Sequence, residues 1–334
     1  MNYIVRRVLS GLVVVLGVVT ITFVVSRLVP SDPARLYAGA RARPAQIDEV
    51  RVNLNLDDPV AVQYVRYLGD LVQGDLGTSF ATKRAITRDM ADFLPATLEL
   101  ALLATLLAMI IGIPVGVWAS ARRGRARDSW VRLFAVSSVS IPSFWLALIL
   151  QLFFASRLGW LPLAGRVDSS TEFTEYTRFF LVDSILSGNI GNVLDVVKHL
   201  ALPVVVMTAY PLGLTIRLIR GSMLEVLGEQ YVEAARVAGI PERTVLSKLA
   251  LKNSLAPALT LLGLTFAYSV SSAFLVEAVF NWPGLGNYLT SAILRVDFPV
   301  IIAAALVITV IYVVVNLLLD LVQAKVDPRV EIQP

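Results

Sequence analysis

Six uncharged, strongly apolar runs dictate what this chain can become: Val8–Ser26, Leu100–Ala121, Leu133–Ser156, Leu200–Ile216, Asn253–Val276 and Phe298–Leu319, each 17 to 24 residues long. A helix needs about 20 residues to cross the hydrocarbon layer of a bilayer. With 56% hydrophobic and only 16% charged residues, the chain carries more apolar surface than a soluble domain can hide. Backbone facing lipid must close its hydrogen bonds within its own segment, so helices are the expected form. The expectation is an all-α membrane protein with six transmembrane helices.

The run after Arg6-Arg7 exceeds the apolar core of a secretory leader, and Ala38-Gly39-Ala40 lies well past it, so the first span is expected to stay as an anchor. The chain has no cysteine, which removes disulfide and thiol chemistry from the expectation. Its net charge of +4 sits in the connections and reads as a topology signal, with no nucleic-acid partner implied.

Six spans put both termini on one side. The long connection Pro30–Leu94 holds nine acidic and eight basic residues and is of the kind exported regardless of charge. The short connection Ala119–Arg132 carries Arg122, Arg123, Arg125 and Arg127 against Asp128. It is therefore placed in the cytoplasm with both termini, and membrane lipid surrounds the rest. The domain reading follows: residues 1–29 form the N-terminal tail and helix 1, 30–94 an extracytoplasmic cap, and 95–334 the core of helices 2–6. Within the cap, Pro44 opens a helix with Ile47, Val50 and Leu54 on one face. Pro59 opens another with Val60, Tyr64, Leu68 and Leu71, and Gly74-Asp-Leu-Gly77 is a turn. Outside lie also Arg157–His199, with Trp160, Tyr176, Phe179 and Phe180 as interfacial aromatics, and the turn-rich Asn281–Gly286.

The second inner connection is the most informative. Gly221–Gly228 extends helix 4, Glu229–Ala238 holds good helix formers, Gly239 can take a left-handed stop, and Pro241 can open another helix. A short helix, a glycine stop and a second helix make a projecting elbow over 221–257, suited to seat in a partner's groove and transmit motion.

The spans hold few titratable groups. Ion-coupled carriers place Asp, Glu or His at mid-membrane, whereas Glu99 and Glu277 fall at outer helix ends and Asp320 at an inner one. Ser137, Ser140, Thr208, Tyr210, Tyr268, Ser269 and Ser272 are candidates to line a neutral pathway. Hydrogen bonding between helices explains the same residues. Gly112-Ile-Pro-Val-Gly116 is a close-packing pattern, and Pro142, Pro203 and Pro211 are possible kinks. His199 is the only histidine, expected at the interface, and cannot form a metal site alone. There is no Gly-Lys pair, so no phosphate loop for ATP.

A series of short motifs runs along the chain: Pro30-x-Asp32-Pro33, Leu56-Asp-Asp-Pro59, Gly74-Asp-Leu-Gly77-x-Ser-Phe80 and Pro95-Ala-Thr-Leu-Glu99. Pro142-Ser-Phe-Trp145, Trp160-Leu-Pro162, Arg217-x-x-Arg220, Tyr231-Val-Glu-Ala-Ala-Arg-Val-Ala-Gly239, Glu277-x-x-Phe-x-Trp-Pro-Gly284 and Asp327-Pro-Arg329 continue it. In this order they resemble the permease subunits of peptide-importing ABC transporters (the dipeptide, oligopeptide and nickel family), specifically the first of two paired permeases. Glu233 stands where this family often has a threonine, and Leu249 where histidine is common.

The resemblance implies a type I importer permease in the bacterial inner membrane. It would be half of a path for di- or oligopeptides, or for nickel chelates or oligosaccharides, that an extracytoplasmic binding protein delivers. A second homologous permease and one or two ATP-binding subunits are the implied partners. ATP and Mg are bound by those subunits and no cofactor by this chain, which is not an enzyme. Tyr231, Glu233, Ala234, Ala235, Arg236, Gly239 and Pro241 would couple to the ATPases. Glu277, Trp282, Pro283 and Gly284 would form an external gate or contact the delivery protein. A stand-alone secondary carrier is the alternative from another class. A channel would leave the elbow unexplained, and a membrane enzyme would need a His, Asp or Ser-Lys centre that is not visible.

Overall fold

A computed structural model describes residues 2–28, 32–39, 42–53, 55–171 and 174–326. Pro30, Ala40, Leu54 and Asp327-Pro328-Arg329 lie outside the described residues. The helices in chain order are α1 (Asn2–Leu28), α2 (Pro33–Ala38), α3 (Pro44–Asn53), α4 (Val60–Val72), α5 (Ile86–Ser120), α6 (Ala126–Ser140) and α7 (Ser143–Leu150). They continue as α8 (Phe180–Leu186), α9 (Ile190–Leu227), α10 (Gln230–Val237), α11 (Glu242–Thr244), α12 (Leu251–Val279), α13 (Leu285–Leu294) and α14 (Phe298–Val326). Wider π-helical turns follow α7 at Gln151–Arg157 and precede α12 at Val245–Ala250.

Four described helices are long and apolar enough to cross a membrane: Val5–Ser26, Ile86–Ser120, Ile190–Leu227 and Phe298–Leu321. The pair Ala126–Ser140 and Ser143–Arg157, bent by 100°, makes a fifth when counted as one broken span. The break falls at Ile141-Pro142, inside the third apolar run. Proline disfavours helical backbone at its predecessor, and Ile141 is extended at φ −77°, ψ 123°. The fifth expected run, Asn253–Val276, lies within α12, whose apolar described portion is Thr265–Val279.

The chain divides into two compact units. The first holds Met1–Pro95 and Gly284–Ile311. Both helices expected after Pro44 and Pro59 are present, and Gly74 and Gly77 take φ of +80° and +83° in the expected turn. α4 packs on α1, with Tyr64 Oη 2.6 Å from Thr20 Oγ1 and the Phe23 ring 5.2 Å from Tyr64 and 5.7 Å from Tyr67. Burial pushes the Tyr67 phenol up to about 12. α2 goes beyond the sequence reading: Asp32 caps it by accepting from Ala34 N–H at 3.1 Å, with Pro33 in the first helical position. α13 likewise replaces part of an expected loop. Its Leu285, Tyr288 and Ala292 join Ile86, Met90, Val300, Ala303 and Ala304 in a buried core. Buried Asp89 accepts from Tyr288 Oη at 2.8 Å and Thr82 Oγ1 at 2.9 Å, anchoring α13 to the start of α5.

The second unit holds Ala96–Pro283 and Tyr312–Pro334. α9 is its axis, with α6, α7, α8 and α12 packed on it. It runs unbroken through Pro203 and Pro211. Gly112 and Gly116 face it: a Cβ at Gly112 would lie 2.9 Å from Thr215 Cγ2, and one at Gly116 2.8 Å from Ile219 Cγ2. That is the close approach the Gly-x-x-x-Gly spacing implies. Gly213, on the other side of α9, comes closer still. Its Cβ would lie 2.5 Å from the Ala135 carbonyl oxygen of α6. Backbone cannot yield as a side-chain tip does. Gly213→Val is expected to cost about 1–3 kcal/mol by overpacking, lowering the melting temperature of the detergent-purified protein. Gly221→Ala, which meets nothing within 4 Å, should leave it unchanged or slightly higher.

Candidate functional site

The elbow is built from α9 onward. α9 stops at Leu227, Gly228 and Glu229 turn the chain, and α10 follows with Val232 fully buried and Ala235 at 9% exposure. These two fix the inner face of α10. Tyr231, Glu233, Ala234, Arg236, Gly239 and Pro241 are exposed. Gly239 takes φ +80° and donates its N–H to the Arg236 carbonyl at 3.0 Å, while Ile240 N–H reaches the Ala235 carbonyl at 3.1 Å. Two bonds back into the last turn after a left-handed glycine are a helix stop. Asn253 Nδ2 donates to Tyr231 Oη at 2.7 Å, tying α10 to the start of α12.

Arg236 donates to both Glu242 oxygens, at 2.8 and 3.1 Å, and closes the elbow. Hydrogen bonding to Arg236 holds the Glu242 carboxyl below its usual value. A lowered carboxylate pKa stabilises the fold above the unfolded value and loses that effect as pH falls through the folded one. The pair is exposed, so its contribution is small. Limited proteolysis of the 228–241 segment in detergent should be constant from about pH 8 to 6 and faster below about pH 4.

Two elbow residues escaped the sequence reading. Val237 is 86% exposed and Ile240 37% exposed. With Ala234 they form an apolar strip flanked by Glu233 and Arg236. The signal was present: counting from buried Val232 and Ala235 puts Val237 off the inner face.

The candidate pathway residues are spread over α6, α9 and α12. Tyr210 and Tyr268 come together, ring centroids 4.7 Å apart, between α9 and α12. Thr208 and Ser269 are buried, while Ser137 and Ser140 are exposed. Thr208, Ser140 and Ser272 each donate to a carbonyl of their own helix, at 2.6, 2.9 and 3.4 Å. A cavity of about 330 Å³ lies in the first unit, walled by Phe23, Tyr67, Phe80 and Phe298, and contains none of these residues.

At the opposite end of α9 from the elbow, buried polar side chains form a clasp. Thr97 donates to Glu277 Oε1, and Trp282 Nε1 donates to the Ala96 carbonyl at 3.2 Å, so the end of α12 is held to α5. Arg166 pairs with Glu99 at 2.7 Å, both side chains at 5% exposure or less, and lies 3.5 Å over the Phe180 ring. Burial pulls the Arg166 guanidinium below its usual value, opposed by the Glu99 carboxylate. Glu99 Oε1 also accepts from Leu181 N–H at 2.7 Å. Asp183 gathers the preceding loop by accepting from the N–H groups of Tyr176, Thr177 and Arg178 at 2.9 to 3.2 Å. Of the four residues expected at an external gate, Pro283 is exposed and Glu277, Trp282 and Gly284 are buried. Arg166 and Asp183 were missed by the sequence reading, because nothing local marks which loop charge will be buried. Phe180 lies under the guanidinium, and His199 is 8% exposed with Nδ1 3.1 Å from Asp195.

A membrane-embedded helical subunit with a projecting elbow is the class these features define. Residues 112–332 match the family described as binding-protein-dependent transport system inner membrane component, and residues 1–101 match its N-terminal companion. The chain belongs to this family of multi-pass ABC transporter permeases. It is 43% identical to the probable D,D-dipeptide transport system permease protein DdpB of Escherichia coli K12, over 98% of this chain and 97% of that one. It is 38% identical to the di/tripeptide transport system permease protein DppB of Pseudomonas aeruginosa (100% and 99%). Identity to the oligopeptide permease AppB of Bacillus subtilis is 36% (98% and 99%). Among solved structures, a crystal form of the inward-facing MetNI methionine ABC transporter matches with a TM-score of 0.50 at 16% identity. That match covers 70% of this chain and 93% of the other and shows a shared fold.

Proposed function

We propose that this chain is half of the translocation path of an ATP-driven importer for short peptides. Six spans, both termini in the cytoplasm and residues 30–94 as an external cap complete the proposed topology. The full-length similarity to subunits named for dipeptide, di/tripeptide and oligopeptide transport supports the substrate class. A second, homologous permease completes the path, and a binding protein delivers the peptide from outside. One or two partner subunits bind and hydrolyse Mg-ATP.

The observation that carries the coupling role is the exposed face of α10. Ala234 and Val237 project from a helix whose opposite face is anchored by Val232 and Ala235, and exposed Ile240 follows its glycine stop. An apolar strip rimmed by charges is what a helix needs to seat in a partner's groove. Glu277 and Trp282 then act in the external gate by holding α12 to α5, with Pro283 turned outward. Tyr210 and Tyr268 are the proposed contacts along the path.

The test is affinity purification from mild detergent followed by uptake in proteoliposomes. A second permease and ATPases should co-purify, and ATP should drive uptake of a labelled dipeptide. Uptake of a nickel chelate or an oligosaccharide instead would replace the substrate class. A stable protein that captures no ATPase and still transports would make it a stand-alone carrier.

A further inference from the structure

We propose that the α5–α6 turn is a binding site for the phosphate of anionic phospholipids at the cytoplasmic surface. The turn carries Arg122, Arg123, Arg125 and Arg127 within six residues, and Gly124 reverses it at φ +77°. The adjacent carboxylate is occupied. Asp128 is 1% exposed, and Arg220 grips both its oxygens at 2.6 and 2.8 Å. Among the described residues, none of the four guanidiniums pairs with a carboxylate.

Position supplies the second half of the argument. α5 is uncharged from Leu100 to its end at Ser120, so its last turn ends where hydrocarbon gives way to headgroups. Trp118 in that turn is 43% exposed, and Trp130 at the start of α6 is 70% exposed. Tryptophan settles at headgroup depth. The Arg122 and Arg127 guanidiniums lie 5.9 and 6.0 Å from the Trp118 ring, which holds two forked donors on one indole at that depth. A phosphate is the anion this fork geometry fits, and a lipid phosphate is the one present there. An ATPase surface is the other anionic partner to consider. The two exposed indoles favour lipid.

The inference rests on the cytoplasmic placement of this turn. The chain has no cysteine, so Ala121→Cys gives a single label site. Labelling from the cytoplasmic face supports the placement, and labelling from outside overturns the orientation independently of lipid binding. Lipid binding itself is read by native mass spectrometry of the purified complex, titrated with phosphatidylglycerol or phosphatidylcholine. Phosphatidylglycerol should bind tighter. Arg122→Gln/Arg127→Gln should weaken it about thirtyfold, about fivefold per arginine, and leave phosphatidylcholine unchanged. Arg122→Lys/Arg127→Lys, which keeps the charge and loses the fork, should fall between. Equal binding of the two lipids, or an unaffected glutamine variant, overturns the proposal. So does equal competition by free glycerol phosphate, which would make this a soluble-anion site. Loss of ATPase co-purification with lipid binding intact would reassign the patch to protein docking.

Discussion

Gly239→Pro is expected to reduce ATP-driven uptake about a hundredfold while the permease still inserts and purifies. Gly239 sits at φ +80° and its N–H is bonded to the Arg236 carbonyl at 3.0 Å. Proline fixes φ near −65° and has no N–H, so it opposes both features at a cost of about 3 kcal/mol or more. That cost falls on the elbow alone, since no heavy atom lies within 4 Å of the position a Cβ would take. A penalty of that size depletes the docking-ready elbow about a hundredfold. Gly239→Ala keeps the N–H and should lose less, because the left-handed backbone costs a non-glycine residue about 1–2 kcal/mol. Two further variants separate docking from folding. Glu233 and Val237 are exposed, so Glu233→Lys and Val237→Glu should change stability by no more than about 0.5 kcal/mol. Uptake should nevertheless fall with both. Normal uptake in all four variants would remove the coupling assignment.

The second large effect is expected at Arg166. Arg166→Met leaves Glu99 buried with its charge unpaired, which costs about 3–5 kcal/mol. Thermal unfolding in detergent should show a loss of many degrees. Adding Glu99→Gln should restore much of it, because the pair's own net contribution is small once both charges are gone. If Arg166→Met alone unfolds like the parent, the clasp is not the stabilising contact proposed. If the double variant is stable but uptake is slow or leaky, the pair acts in gating rather than in folding.

Much of the architecture was readable because lipid imposes long apolar runs. Four of the six runs lie in unbroken candidate spans, and a fifth is bent at Ile141-Pro142, where proline disfavours helical backbone at its predecessor. The helix, stop and second helix of the elbow were readable, since helix formers, a glycine and a proline in that order leave few alternatives, whereas exposed Val237 and Ile240 were not singled out. The clasp was not. Arg166 and Glu99 are 67 positions apart, and no periodicity links a loop arginine to the helix carboxylate it will neutralise. α13 was hidden for a related reason. Its ten residues look like part of a loop until Tyr288 and Leu285 find a core supplied by α5 and α14. Tertiary contact, not local preference, makes both.

The glycine contacts along α9 give this permease a fulcrum. Gly112 and Gly116 of α5 press on residues 215–219, and Gly213 presses on α6, so α9 is pinched near residue 216. From there to Leu227 is 11 residues, or about 16 Å; to Ile190 it is 26 residues, or about 39 Å. The arms are unequal by more than twofold. If α9 turned as a rigid lever about this pinch, a push of about 1 Å at the elbow would arrive at the far end, where α8 packs on α9, as more than 2 Å. The Leu181–Glu99 bond there is 2.7 Å long, and a hydrogen bond stretched by that much no longer exists. Under such a rotation the mechanical advantage would run from the elbow to the clasp, and a small displacement at the elbow would open it.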